Sequence, residues 1–154
     1  PLLERRAAFL DARGRHEEAL AVWRSALAEP GAGAPARLGL AHSLAALGRD
    51  GEAFAEARRA VTVAPASLEP RLLVAEIHEK AGRPVAAARE LADACRARPR
   101  DPVPARRLLE LALRERRARG VAQSALAGIE RAFGRPARNL ALREAIDAFR
   151  SAAR

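Results

Sequence analysis

Gly48 to Pro65 reads GRDGEAFAEARRAVTVAP, and its small residues return at one interval on both sides. Gly14, Gly48 and Gly82 are 34 residues apart, and the same interval separates Ala19, Ala53 and Ala87, then Ala26, Ala60 and Ala94, then Pro65 and Pro99. A constant period of this length marks a chain built by stacking copies of one small unit. Within the stretch, Ala53, Phe54, Ala57, Ala60 and Val61 follow the three-and-four spacing of a helix with one buried face. Gly48 supplies the turn before it, Asp50 is the expected N-cap of a helix over Gly51 to Val63, and Pro65 closes it.

Toward the N-terminus the pattern gives a helix over Leu2 to Ala12, burying Leu2, Leu3, Ala7 and Leu10, then a break at Gly14. His16 to Ala28 follows with Ala19, Leu20, Trp23, Ala26 and Leu27 inward, stopping before Pro30. Pro35 opens a helix carrying Leu38, Leu40, Ala41, Leu44 and Leu47; its fixed φ and missing N–H suit a first turn. Toward the C-terminus, Pro70 precedes Leu72, Leu73, Ala75 and Ile77, and Pro84 opens a helix with Ala87, Ala88, Leu91, Ala94 and Cys95. The fourth unit departs from the period. Gly120 comes 38 residues after Gly82, and four extra residues amount to about one helical turn, so a longer first helix is expected over Val103 to Arg119. A last helix, Asn139 to Ala153, carries Leu140, Leu142, Ala145, Ile146 and Phe149 and is read as covering the end of the array. The expected organisation is one array over 1–154, with repeats of about 1–33, 34–67, 68–101 and 102–138 and a terminal helix at 139–153.

Each hairpin thus has Gly at its turn, Ala five and twelve residues later, a larger residue nine later and Pro seventeen later. Such a unit resembles the tetratricopeptide repeat (TPR). The motif reads Gly14, Ala19, Trp23, Ala26; Gly48, Ala53, Ala57, Ala60, Pro65; Gly82, Ala87, Leu91, Ala94, Pro99; and, more loosely, Gly120, Ala125, Ile129, Ala132. Ala7, Ala41 and Ala75 supply the family's small residue seven before the turn Gly. Ala57 stands where an aromatic residue is usual, and Pro30 is one residue early. The resemblance implies an all-α, right-handed α-solenoid of antiparallel hairpins whose concave face is lined by the first helix of each. It also implies a non-catalytic scaffold or adaptor that binds a peptide segment or partner helix there, without a cofactor.

Placing this sequence on that pattern puts Glu4, Ala8, Asp11, Leu38, His42, Leu72, Glu76, Glu79, Arg106 and Glu110 at or near the groove. One subclass of the family grips a C-terminal carboxylate with Lys, Asn and Arg; the matching positions here hold Glu4, Ala8, His42, Glu69 and Leu73, which argues against that clamp. The acids favour a basic or amphipathic partner, through orientation and on-rate more than affinity. The plainer reading is a solvated helix face.

Charge is lopsided. Residues 1–95 hold 13 basic and 13 acidic side chains, whereas residues 96–154 hold 15 Arg against 6 acids, so the net charge of +9 belongs to the C-terminal part. Arg106, Arg107, Arg114, Arg116, Arg117 and Arg119 crowd one stretch, and Arg131, Arg135, Arg138 and Arg143 follow. Such a patch could meet phosphate, which makes anion or nucleic-acid binding the alternative function. Stacking aromatics are nearly absent from it, since Phe133 and Phe149 stand at core-like positions, so recognition of single-stranded bases has little support.

An aromatic content of 3% with abundant Ala points to close helix contacts between small side chains. No apolar run approaches the 18 or so residues of a membrane span. Met is absent and a helical pattern starts at once, which suggests part of a longer polypeptide, such as the regulatory arm of an enzyme. The uncapped first hairpin would leave an apolar face for self-association. His16, His42 and His78 occupy different repeat positions without metal-ligand spacing, Cys95 reads as a small apolar core residue, and no nucleophile stands beside a base. Nothing in composition assigns a compartment.

Overall fold

The computed structural model describes residues 2–134 and 139–152, which are helical apart from short connections. The chain divides into two compact units, Pro1–Ile77 and His78–Arg154.

In the first unit α1 (Leu2–Ala12) and α2 (His16–Ala28) form one hairpin, α3 (Ala34–Ala46) and α4 (Asp50–Val63) form the next, and α2 packs on α3. The helix α5 (Leu68–Lys80) adds Leu73, Val74 and Ile77 to the same core. Ala7, Ala19, Ala41, Ala53 and Ala57 are completely buried, which lets the backbones of neighbouring helices approach closely. Trp23, Leu40, Leu44 and Leu20 fill the spaces between hairpins.

The turns repeat as faithfully as the letters. Gly14, Gly48 and Gly82 have φ of 73°, 74° and 66°, a left-handed conformation that costs other L-residues roughly 1–2 kcal/mol. In each, the following Arg sends its N–H back five residues: Arg15 to Leu10 O at 3.0 Å, Arg49 to Leu44 O at 2.9 Å, Arg83 to His78 O at 2.9 Å. These are Schellman closures, which satisfy carbonyls left over at the helix end. Asp50 is the first residue of α4 and not its cap; Arg49 holds the capping position without a side-chain bond and instead forks onto Glu52.

The second unit holds the end of α5, α6 (Pro84–Ala97), α7 (Pro102–Arg114), a 3-10 turn at Arg116–Ala118, α8 (Arg119–Phe133) and α9 (Leu140–Ala152). Packing joins α7 to both α6 and α9, and α8 to α6 and α7. The long helix expected over Val103 to Arg119 is not there. The chain leaves α7 after Arg114, Glu115 is extended (φ −118°, ψ 100°), and the extra residues form the 3-10 turn. That turn packs on α6 and α7 and buries Ala118 completely, apolar burial that a straight continuation of α7 would forgo. Gly120 therefore lies inside α8, as its second residue, and makes no turn.

Two expected core residues are on the surface: Leu2 is 82% and Leu140 is 68% exposed, each the first residue of its helix, ahead of the turn that packs. On α9, Leu142, Ile146 and Phe149 are buried as the stripe requires.

Candidate binding surfaces

Asp11 lies near the end of α1 with its carboxylate directed into the first unit. Trp23 Nε1 donates to Oδ2 at 2.7 Å, His16 Nδ1 lies 2.9 Å from Oδ1, and the buried Ser43 hydroxyl lies 2.8 Å from both oxygens. One carboxylate thus ties α1, α2 and α3 together. The indole reaches it because α3 has Gly39 beneath: a Cβ there would stand 2.3 Å from Trp23 Cζ2. Gly39 and Ser43 were missed in the sequence reading, although a glycine inside a helical stripe is itself a sign of close approach.

The other groove positions of this unit differ. Glu4, Leu38, Leu72 and Glu76 are half-buried, Leu38 packing against the core, while Ala8 and His42 are exposed. On α1, Phe9 is exposed with the Arg13 guanidinium 4.5 Å above its ring.

In the second unit, Glu79 does not stand as an open acid. Arg107 and Arg114, seven residues apart on α7, reach its two oxygens at 3.2 and 3.1 Å. Arg106 pairs with Glu110 at 3.5 Å along the same helix. Beside Glu79 lies a cleft of about 550 Å³ floored by Leu111 and Pro84 and rimmed by Arg114, Arg116 and Arg117. Arg119 turns inward, giving its Nε–H to Ala112 O at 3.2 Å and reaching Ala152 O at 3.4 Å. Of the five Arg read as a basic patch, Arg107 and Arg114 are thus matched to Glu79 and Arg119 ties helices together. Arg116 and Arg117 remain on the surface. Arg131 and Arg143 are exposed; Arg135 and Arg138 lie outside the described residues.

A second cleft, of about 400 Å³, opens between α6 and α8. Cys95 is half-buried in it, and burial pushes its thiol up to about 12, so it is held as an uncharged, weakly nucleophilic group at neutral pH. Among the described residues no three His, Cys, Asp or Glu side chains gather as metal ligands, and no helix is long and apolar enough to cross a membrane.

Among solved structures the chain is similar to a thermophilic TPR protein of Thermus thermophilus (TM-score 0.64, 20% identity, 98% of this chain and 81% of that one). It is also similar to PcrH from Pseudomonas aeruginosa (TM-score 0.58, 16% identity, 86% and 90%) and to PcrH in complex with the chaperone binding region of PopD (TM-score 0.58, 17% identity, 87% and 90%). No protein-family model matches the sequence, and no curated protein matches it. The fold is therefore the all-α, TPR-like array of helical hairpins, an α-solenoid class. At these identities the likeness establishes the fold, and function has to be argued from the surfaces.

Proposed function

We propose that the protein is a non-catalytic TPR scaffold or adaptor that holds an extended or helical segment of another protein along the first helices of its hairpins. The observation that carries this is the sharing of its fold with PcrH, a protein solved with the chaperone binding region of PopD bound. The half-buried Leu38 and Leu72, beside the exposed His42, support the same surface. Among its acids Asp11 is used internally, Glu79 is matched by two Arg and Glu110 pairs with Arg106. An amphipathic partner is thus better supported than a strongly basic one.

The chain serves as bait in a source lysate at low and high salt, with and without nuclease. A discrete protein retained in all conditions, and lost with Leu38→Asp plus Leu72→Asp, is the expected result. The alternative rests on Arg116 and Arg117, which have no carboxylate partner among the described residues; retention abolished by nuclease, or by Arg116→Glu with Arg117→Glu, would favour it and overturn the groove.

A further inference from the structure

The cleft between α6 and α8 is built mainly from second helices, and Ala105 on α7 is the one wall residue that a first helix supplies. Its walls are short: Ala92, Ala105, Ala125, Gly128 and Ala132, with Ile129 and Phe133 as the larger apolar surfaces. Gly128 is the telling residue. It sits in the middle of α8 with nothing within 4 Å of where a Cβ would be, although glycine inside a helix costs about 1 kcal/mol relative to alanine. Packing therefore does not demand it, and at this exposed position its missing side chain leaves room at the mouth of the cleft. The volume falls within the range of roughly 300–1,000 Å³ common for binding pockets.

The polar rim has a sign. Its one carboxylate, Asp101, caps α7 by accepting from the Val103 N–H at 3.0 Å, and the lining Arg96 is paired with Asp93 on the same helix. Next to the cleft, sharing Pro99 and Asp101 with it, lies an open depression bearing Arg98 and Arg100. Both are exposed and have no carboxylate partner among the described residues. An apolar recess beside unmatched guanidinium groups complements a segment with one apolar side chain and neighbouring carboxylates. Nucleic acid fits less well, because the lining offers Phe133 as its one aromatic ring and no second stacking surface.

We infer that the α6–α8 cleft is a second docking surface, which seats an apolar side chain of an acidic protein segment while Arg98 and Arg100 hold its carboxylates. The probe is a fluorescent synthetic peptide with a central Leu flanked by Glu, titrated into the full chain by anisotropy. Two control peptides carry Lys for Glu, or Ser for Leu.

The Glu–Leu peptide is expected to bind, with each control weaker by about tenfold or more. Gly128→Leu, which fills the recess, and Arg98→Glu with Arg100→Glu should each weaken it about as much. Bound peptide should also slow alkylation of Cys95, the one cysteine of the chain. Leu38→Asp with Leu72→Asp should leave this binding unchanged, so failure here and failure of the groove are separable. Circular dichroism checks each variant, and Ala125→Leu replaces Gly128→Leu if the latter does not fold. Absence of binding at about 1 mM peptide, equal binding by the cleft-filled variant, unprotected Cys95, or preference for a single-stranded RNA oligonucleotide over the acidic peptide would each overturn the inference.

Discussion

Asp11 shows how one residue can look like a contact and act as a joint. On the repeat pattern it occupies a groove-lining position, yet it accepts the Trp23 indole N–H and bonds to Ser43 on the next hairpin. Its removal strands a buried indole N–H, whereas the Ser43 hydroxyl keeps the Gly39 carbonyl at 3.2 Å as an acceptor, and an unsatisfied buried group costs about 1–3 kcal/mol. Asp11→Ala should therefore lose roughly 1–3 kcal/mol in urea unfolding followed by Trp23 fluorescence. Gly39→Ala attacks the same joint by sterics; pushing the indole aside should cost about 1–3 kcal/mol. If both variants unfold like the parent chain, Asp11 is a surface residue after all. The turn glycines and buried alanines were legible because each is fixed by one local demand, a positive φ or a close helix contact, that few residue types meet. Asp11 was not, because an acid at that position serves a groove or a buried network equally well until the indole and hydroxyl are placed. Glu79 has the same ambiguity, resolved by Arg107 and Arg114 on another helix.

At the level of elements, most of the helices were readable from spacing and from Pro and Gly punctuation. The break at Glu115 was not. Arg114 to Arg119 contains neither Gly nor Pro and consists of residues that favour helix locally, so only the burial of Ala118 against α6 and α7 makes the chain turn there. The same distinction between local pattern and packing separates the two ends of α9. Phe149 is almost completely buried, whereas Leu140 is largely exposed. Phe149→Ala should destabilise by about 3–5 kcal/mol, as expected for a large core side chain that leaves a cavity. Leu140→Ala should remain within about 0.5 kcal/mol of the parent. Thermal unfolding by circular dichroism decides it, and comparable losses in the two variants would contradict the way α9 is seated on α7.

For the molecule as a whole, the period of 34 residues implies stability that is a sum of hairpins and the interfaces between neighbours. We propose on that basis that residues 1–154 behave as one array, in which loss at one end is felt at the other. The chain offers a clean reporter. Trp23 is its single tryptophan and belongs to the first unit, while Phe149 belongs to the second. Denaturant unfolding can thus be followed twice, by indole fluorescence for the first unit and by far-ultraviolet circular dichroism for all helices. If the array is cooperative, the two curves of the parent coincide, and Phe149→Ala lowers the Trp23 midpoint along with the helical one. Should Phe149→Ala split the transition and leave the Trp23 midpoint where it was, the two units are thermodynamically separate. The groove and the α6–α8 cleft would then be independent modules, and a partner engaging both would gain through effective concentration and not through any shared rigidity.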